Sequence, residues 1–404
     1  MSTKLSVEHV YKVFGANPRR ALERVERGEG KDEIFAATGM TVGVSDASFE
    51  VREGEIFVVM GLSGSGKSTL VRMLNRLIDP SAGAIYIDGK DITKMTRRQL
   101  IDLRRHEISM VFQSFALMPH QTVLENTAFG LTVAGVDSDE GREKALAALD
   151  AVGLKANAQS YPDELSGGMK QRVGLARALA VNPGILLMDE AFSALDPLIR
   201  TEMQDELLRL QSEQARTVVF ITHDLDEAMR VGDRIAIMQA GEVVQVGTPE
   251  QIVRSPANDY VRSFFRGVDV SHVFTAADVA RRDQVTVIER AGVSIRAALA
   301  RLEEHDQPAA VVHDRARLYQ GVVTVDSLLA CLKTLGRKDE GHIEDAFVAN
   351  VRPVAGDTPL TELMTQVAES DWPVPVVDAQ GRYAGAISRA TLLHTLNRTE
   401  QGAA

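Results

Sequence analysis

Only one cysteine, Cys331, occurs in the 404 residues, which excludes an internal disulfide framework and fits a chain kept in a reducing compartment. No run approaches the ~18 consecutive apolar residues of a membrane-spanning helix. The opening Met-Ser-Thr-Lys-Leu has no apolar core of the kind a signal peptide needs. The expectation is a chain that neither crosses a membrane nor is exported. Basic charge is also short: 45 Lys and Arg against 56 Asp and Glu leave a net charge of -11, the wrong sign for a general nucleic-acid binder. Any membrane association is therefore expected to run through a protein partner. Glycine (31) and proline (13) are too few for a collagen-like or low-complexity chain. What remains, 45% hydrophobic and 25% charged residues, is ordinary for two or three globular domains.

Between residues 51 and 250 short apolar runs alternate with longer amphipathic stretches, which predicts an α/β domain with a mainly parallel sheet. Ile56 to Met60, Ile185 to Met188 and Val218 to Ile221 read as buried strands, each followed at once by Gly, Asp/Glu or Thr/His. Open α/β sheets bind ligands just beyond such carboxyl ends. Leu70, Leu74, Leu77 and Ile78 predict a helix with a core-facing stripe, as do Met203, Leu207 and Leu210. In the last third, Gln307 to Leu332 aligns with Asp371 to Leu396, matching Val312/Val376, Asp314/Asp378, Tyr319/Tyr383, Gly321/Gly385 and Leu328/Leu392. Two similar modules of strand, turn, strand and helix are expected there, beyond a boundary near 267 to 275. From Ser271 onward 14 Lys/Arg face 18 Asp/Glu, so neither part is basic.

The chemistry starts at Gly61-Leu-Ser63-Gly64-Ser65-Gly66-Lys67-Ser68, which fits G-x-x-x-x-G-K-[ST] between a strand and a helix. Glycines let the backbone wrap an anion closely, with successive N–H groups aimed inward. Lys67 adds positive charge at the β- and γ-phosphates, Ser68 offers a hydroxyl to Mg²⁺, and the helix N-terminus adds its partial charge. Ile185-Leu-Leu-Met188 then delivers Asp189 and Glu190. Asp189 is expected to support the metal, and Glu190 to polarise the attacking water of an in-line hydrolysis.

Leu165-Ser166-Gly167-Gly168-Met169-Lys170-Gln171-Arg172 resembles the signature sequence of ABC-type ATPases. Independently, Ser166 can cap a helix whose Met169, Val173, Ala176 and Ala180 face inward, leaving bare N–H groups for an anion. The resemblance implies a head-to-tail homodimer with two ATP molecules, each between one P-loop (Gly61 to Thr69) and the partner's Ser166, Gly167 and Gly168. By the same resemblance Gln113 is the Q-loop glutamine that shares the metal with Ser68 and Asp189, Asp196 belongs to the D-loop, and His223 is the switch histidine. Phe14 resembles the aromatic that stacks on adenine, with Tyr11 as the rival.

A single P-loop, no long heptad arm and no fused membrane segment favour a separate importer subunit. Gln113-Ser-Phe115-Ala-Leu117-Met118-Pro-His120 and Asp189-Glu-Ala-Phe-Ser-Ala-Leu-Asp-Pro-Leu-Ile-Arg200 are similar to the ATPase subunit of glycine betaine/L-proline importers. An insertion at about 16–40, with Leu22, Val25, Ile34 and Phe35 as the apolar side of short helices, is shared with that type; a solvated decoration and a permease contact both remain open for it. Phe115, Leu117 and Met118 are expected to receive the membrane permease. The C-terminal repeats resemble CBS domains, but Ser327 and Thr391 stand where nucleotide-binding units carry an acid. The signal they sense stays open among ionic strength, lipid, nucleotide and cyclic dinucleotide.

The expected architecture is thus a P-loop ABC ATPase domain, 1–268, with a helical subdomain at about 91–180. A tandem CBS module, 269–404, follows with repeats at about 280–337 and 345–400. The expected function is ATP hydrolysis energising import of a compatible solute, with regulation under osmotic stress, at the cytoplasmic face of the membrane. A solute-binding protein would act through the permease, and nucleic acid is not a partner. The alternatives are a soluble ABC ATPase without transport, or an importer subunit for choline or another amino acid.

Overall fold

The computed structural model describes residues 2–113, 115–265, 274–282, 284–288, 294–335, 342–349 and 351–393. The expected 268/269 boundary, the repeat position Leu396 and the C-terminal ends of both expected repeats lie outside them. The chain divides into two compact units, 1–264 and 265–404.

In the first unit the strands are β1 (Thr3–Phe14), β2 (Thr41–Arg52), β3 (Ile56–Met60), β4 (Ala82–Ile87), β5 (Lys90–Asp91), β6 (Ile108–Val111), β7 (Ile185–Asp189), β8 (Thr217–Thr222), β9 (Arg234–Gln239) and β10 (Glu242–Gly247). They build a four-stranded sheet ordered β2-β1-β4-β5 and a six-stranded sheet ordered β10-β9-β3-β8-β7-β6. β3, β6, β7, β8 and β9 run parallel. β3, β7 and β8 are buried along their whole length, as continuous apolar runs without alternation require. Met60 pairs with Thr222 and Asp189 with Ile221, so the polar residues beyond these strands gather at one edge of the sheet. One core joins both sheets through Leu5, Val44, Phe57, Leu70, Leu187 and Ile221. The helices Val123–Ala134, Ser138–Ala151 and Gly167–Ala180 pack on one another as a helical layer.

Two periodicity readings need correction. The helix after the P-loop stops at Leu74, and Leu77 is exposed, because Asn75 caps the chain and turns it out of the helix. In the insertion, the helices Pro18–Glu26 and Lys31–Thr38 bury Ala21 and Ile34 against Val13, Met40 and Val42, with Leu22 and Val25 half-buried. Phe35 instead faces solvent, since the one turn that Ile34 seats against the core points its neighbour away. Phe14 pairs with Thr41, so the insertion leaves and rejoins the sheet at adjacent strand ends.

The second unit continues with β11 (Thr286–Ile288), β12 (Ala309–His313), β13 (Tyr319–Thr324), β14 (Val354–Ala355), β15 (Val374–Val377) and β16 (Tyr383–Ile387). They form two three-stranded sheets, β11-β12-β13 and β14-β15-β16. The sequence repeat is a structural one, register included: Val312 pairs with Gly321, and Val376 with Gly385. Both glycines answer to close approach. A Cβ at Gly321 would sit 2.7 Å from the Phe347 ring, and one at Gly385 2.8 Å from the Arg281 carbonyl oxygen.

Candidate functional site

The loop after β3 turns sharply enough that glycine is required. Gly66 has φ +101°, and a Cβ there would lie 2.5 Å from the Gly43 carbonyl oxygen. Gly66 caps the eight-residue helix Lys67–Leu74, so the first amides of that helix stay open toward the loop. Gly241, in the β9–β10 turn, donates its N–H to the Ser65 carbonyl at 2.8 Å and braces the loop from behind. Lys67 is buried, and its ammonium donates to the carbonyls of Gly61 (2.7 Å) and Leu62 (3.0 Å). Burial lowers its pKa, against the opposing pull of Glu190 and Asp189. The Ser65 hydroxyl, in the same loop, is buried with no hydrogen-bond partner, a polar atom whose bond the loop itself leaves unmade.

Asp189 closes β7 fully buried, and both its oxygens are held. The Ser68 hydroxyl donates to Oδ1 at 2.8 Å, and Arg72 Nη2 donates to Oδ2 at 3.1 Å. Glu190 follows at φ +47°, a left-handed conformation that a non-glycine residue rarely adopts. Around its carboxylate three predicted residues converge. Gln113 Nε2 and His223 Nδ1 each lie 3.4 Å from Oε2, and Lys67 Nζ lies 3.9 Å from Oε1. Ser193 Oγ donates to the Glu190 carbonyl at 2.9 Å. Ser68 meets Asp189 directly and Gln113 lies beside the neighbouring Glu190, and their oxygens are of the kind a hard cation such as Mg²⁺ takes. Among the described residues no group of three or more His, Cys, Asp or Glu forms a metal cage by itself. The set fits an ion that takes its other ligands from phosphate and water.

The signature segment stands apart from this cluster. Ser166 caps the helix Gly167–Ala180 by accepting from Met169 N at 3.3 Å, and Ser166 and Gly167 are exposed. Gly168 is glycine because a Cβ would lie 2.5 Å from the Ile199 side chain. Asp196, also exposed, caps the helix Pro197–Glu213 through Ile199 N at 3.1 Å. Among the described residues no hydrogen bond joins Ser166, Gly167, Gly168 or Asp196 to the P-loop. Phe14 ends β1 with its ring 41% exposed and lying over Gly43, while Tyr11 is half-buried and paired with Ala82. Phe14 is thus the more exposed of the two aromatics, with the Lys12 ammonium 5.1 Å from its ring centroid. Ser63, Gly64 and Thr69 complete the loop and its helix start.

Beyond Gln113 the chain is shaped by two residues that sequence reasoning missed. Arg177 donates to the carbonyls of Ala116 (2.7 Å) and Phe115 (3.1 Å). The buried Asn126 side chain accepts from Met118 N at 2.7 Å and donates to the carbonyls of Met118, Gln121 and Thr122. Phe115, Leu117 and Met118 are half-buried in that frame. Beside it opens a groove of about 280 Å³ whose lining includes Leu77, Phe112, Phe129, Val133, Arg105 and Arg177. Arg72, Arg177 and Asn126 sit at ordinary helix positions, and no spacing rule marks them.

In the second unit the strand ends behave differently. Ser327 N donates to Thr324 Oγ1 at 3.0 Å and Thr324 N to Ser327 Oγ at 2.9 Å, while Thr391 N donates to Ser388 Oγ at 3.1 Å. A separate groove of about 420 Å³ between the repeats is lined by Arg282, His313, Arg315, Arg317 and Tyr383, among others.

Comparison with known proteins agrees with this division. The ABC transporter family model matches residues 44–193, and the CBS domain model matches 343–398, the second repeat. The glycine betaine/proline betaine transport system ATP-binding protein ProV of Salmonella typhimurium is 57% identical over 399 residues, 98% of each chain. The glycine betaine transport ATP-binding protein OpuAA of Bacillus subtilis is 49% identical, covering 97% of this chain and 92% of the other. Among solved structures, the dimeric structure of MJ0796, a bacterial ABC transporter cassette, matches 61% of this chain and 98% of its own at 33% identity with a TM-score of 0.52. A post-hydrolysis dimer of the same cassette, bound to ADP and Pi, matches equally at 32% identity.

Proposed function

The chain belongs to the family of glycine betaine/proline betaine transport ATP-binding proteins, and from that premise we propose how its residues drive import. The chain is the ATP-hydrolysing subunit of an importer for a compatible solute of the glycine betaine or proline betaine type. Lys67 and the amides of Gly64 to Thr69 bind the β- and γ-phosphates, and Phe14 covers the adenine. Ser68, Asp189 and Gln113 would hold Mg²⁺, which when bound offsets the charge of the triphosphate. Glu190 takes the proton side of the attacking water, and His223 steadies the γ-phosphate beside it.

One observation carries this reading: three side chains meet Glu190 within one copy, yet Ser166 and Gly167 lie exposed, with no hydrogen bond to the P-loop among the described residues. A second copy completes the site head to tail, with Ser166, Gly167, Gly168 and Asp196 across each nucleotide. ATP favours the closed pair and hydrolysis reopens it, and that difference in affinity is the free energy available for transport.

The permease is reached through Phe115, Leu117 and Met118 and the adjoining groove, and an extracytoplasmic solute-binding protein acts through that permease. The chain thus sits at the inner face of the membrane as a peripheral subunit. The CBS pair adjusts activity under osmotic stress. Its sensed signal acts away from the usual adenosine position, where Ser327 and Thr391 replace an acid. The test is ATPase activity and glycine betaine uptake by the reconstituted complex across a salt series. Phe115→Asp is expected to keep ATP binding and lose uptake, and unchanged uptake in that variant contradicts the docking assignment.

A further inference from the structure

The loop of Asp196 and the loop of His223 come from different strands, and one side chain ties them together. Arg200 lies in the first turn of the helix Pro197–Glu213. Its Nη1 donates to Asp224 Oδ2 at 3.0 Å, and its Nη2 donates to the carbonyls of Leu195 (3.2 Å) and Ser193 (3.5 Å). Asp224 divides its carboxylate, since the other oxygen accepts from Glu227 N at 3.2 Å and caps the helix Leu225–Val231. Asp224 N donates to Thr222 Oγ1 at 3.0 Å. The Thr222 hydroxyl in turn donates to Glu227, whose other oxygen accepts from Gln204 Nε2 at 3.3 Å.

His223 is therefore flanked on both sides by groups anchored to one helix: Asp224 through Arg200, and Thr222 through Glu227 and Gln204. Thr222, Glu227 and Gln204 are all buried. Polar groups in such a position cost free energy unless matched, and stability alone gives little reason to place them there. A rigid link between two loops is a reason. Ser193, at one end of the link, also touches Gln113 and Glu190.

We propose that Arg200 and Asp224 form a positioning clamp that makes the Ser193–Asp196 loop and the His223 loop one body, so that a second copy docking onto Asp196 holds His223 in the place beside Glu190 that it already takes within one copy. Neither residue touches the nucleotide. The proposal rests on the reading that Asp196 faces a second copy, and it deepens that reading by naming what carries the contact to the reacting groups.

The test uses the full chain and measures kcat and KM for ATP, thermal unfolding, and ATP-dependent dimerisation in a Glu190→Gln background. Arg200→Ala and Asp224→Asn should each lower kcat by about 10- to 100-fold, the span of a typical coupling between sites, with KM within about threefold. Arg200→Lys keeps the ion pair but loses the fork to the carbonyls, and should fall between. The Arg200→Ala/Asp224→Asn double variant should be no slower than the worse single one, and Arg200→Ala should cost less than about twofold on top of His223→Ala. Dimerisation by ATP should persist.

Losses that multiply independently of His223, or dimerisation lost together with kcat, would overturn the clamp while leaving the proposed function standing. An unchanged kcat in the near-isosteric Asp224→Asn would do the same. Wild-type turnover in His223→Ala alone would overturn the role of His223 and the clamp with it.

Discussion

The two units of this chain differ in what they place at the ends of their strands. In 1–264 the strand ends carry Lys67, Asp189, Glu190 and His223, and these groups reach one another across different strands. In 265–404 the ends of β13 and β16 carry Thr324 with Ser327 and Ser388 with Thr391, each hydrogen-bonded within three residues. A short hydroxyl bonded to its own turn caps a helix. A long charged side chain that finds its partner on another strand builds a reaction centre. The layer architecture permits both outcomes, and a handful of residues chooses between them.

Lys67→Ala offers the hardest test of that contrast. Removing a charge-assisted contact to phosphate is expected to weaken ATP binding by roughly 10²-fold, about 3 kcal/mol. Titration calorimetry on the full chain checks it, and tight binding that survives would place a second nucleotide site in 265–404. Asn126→Ala comes next, because it strands the Met118 N–H and several carbonyls. A loss of roughly 2–3 kcal/mol in denaturant unfolding is expected, confined to the first unit. Gly385→Ala sharpens the other side: the added Cβ meets the Arg281 carbonyl, and overpacking of about 1–3 kcal/mol should loosen the second repeat while KM for ATP stays put.

The smallest effects are in pH. Burial raises the Glu227 pKa above its ordinary 4.5, more than its bonds to Thr222 and Gln204 lower it. A raised folded value favours the protonated form, so its stabilising contribution is present below pH 4.5 and is lost as pH rises through the folded value. Glu227→Gln should flatten that slope in melting curves. Burial likewise pushes Tyr319 from 10.0 up to about 12, so its contribution in the second unit is lost only between those values. Tyr319→Phe should remove the alkaline slope and leave the acid one untouched.

Much of this was legible in the sequence. A glycine-rich loop between a strand and a helix, and two acids ending an apolar run, specify their chemistry by local spacing, and the structure places Ser68 on Asp189 and Glu190 beside Gln113 and His223. Local spacing fails where the partner is distant. Arg72, Arg177 and Arg200 look like any solvated helix arginine until the fold brings Asp189, the Phe115 carbonyl and Asp224 to them. Periodicity also misread Leu77 and Phe35, because it marks neither where a helix stops, as before Leu77, nor which of two neighbouring apolar residues faces the core, as at Phe35 beside Ile34. The repeat was visible as matched glycines, but its reason, a ring in one copy and a backbone carbonyl in the other, lies in segments that precede or follow each hairpin.

Completion of the site by a second copy is tested most directly by sedimentation of the Glu190→Gln chain with and without ATP, beside the same chain carrying Ser166→Arg. The account predicts a dimer only with ATP and only when Ser166 is intact. A Glu190→Gln chain that holds ATP tightly and stays monomeric, or a dimer indifferent to Ser166→Arg, would contradict it.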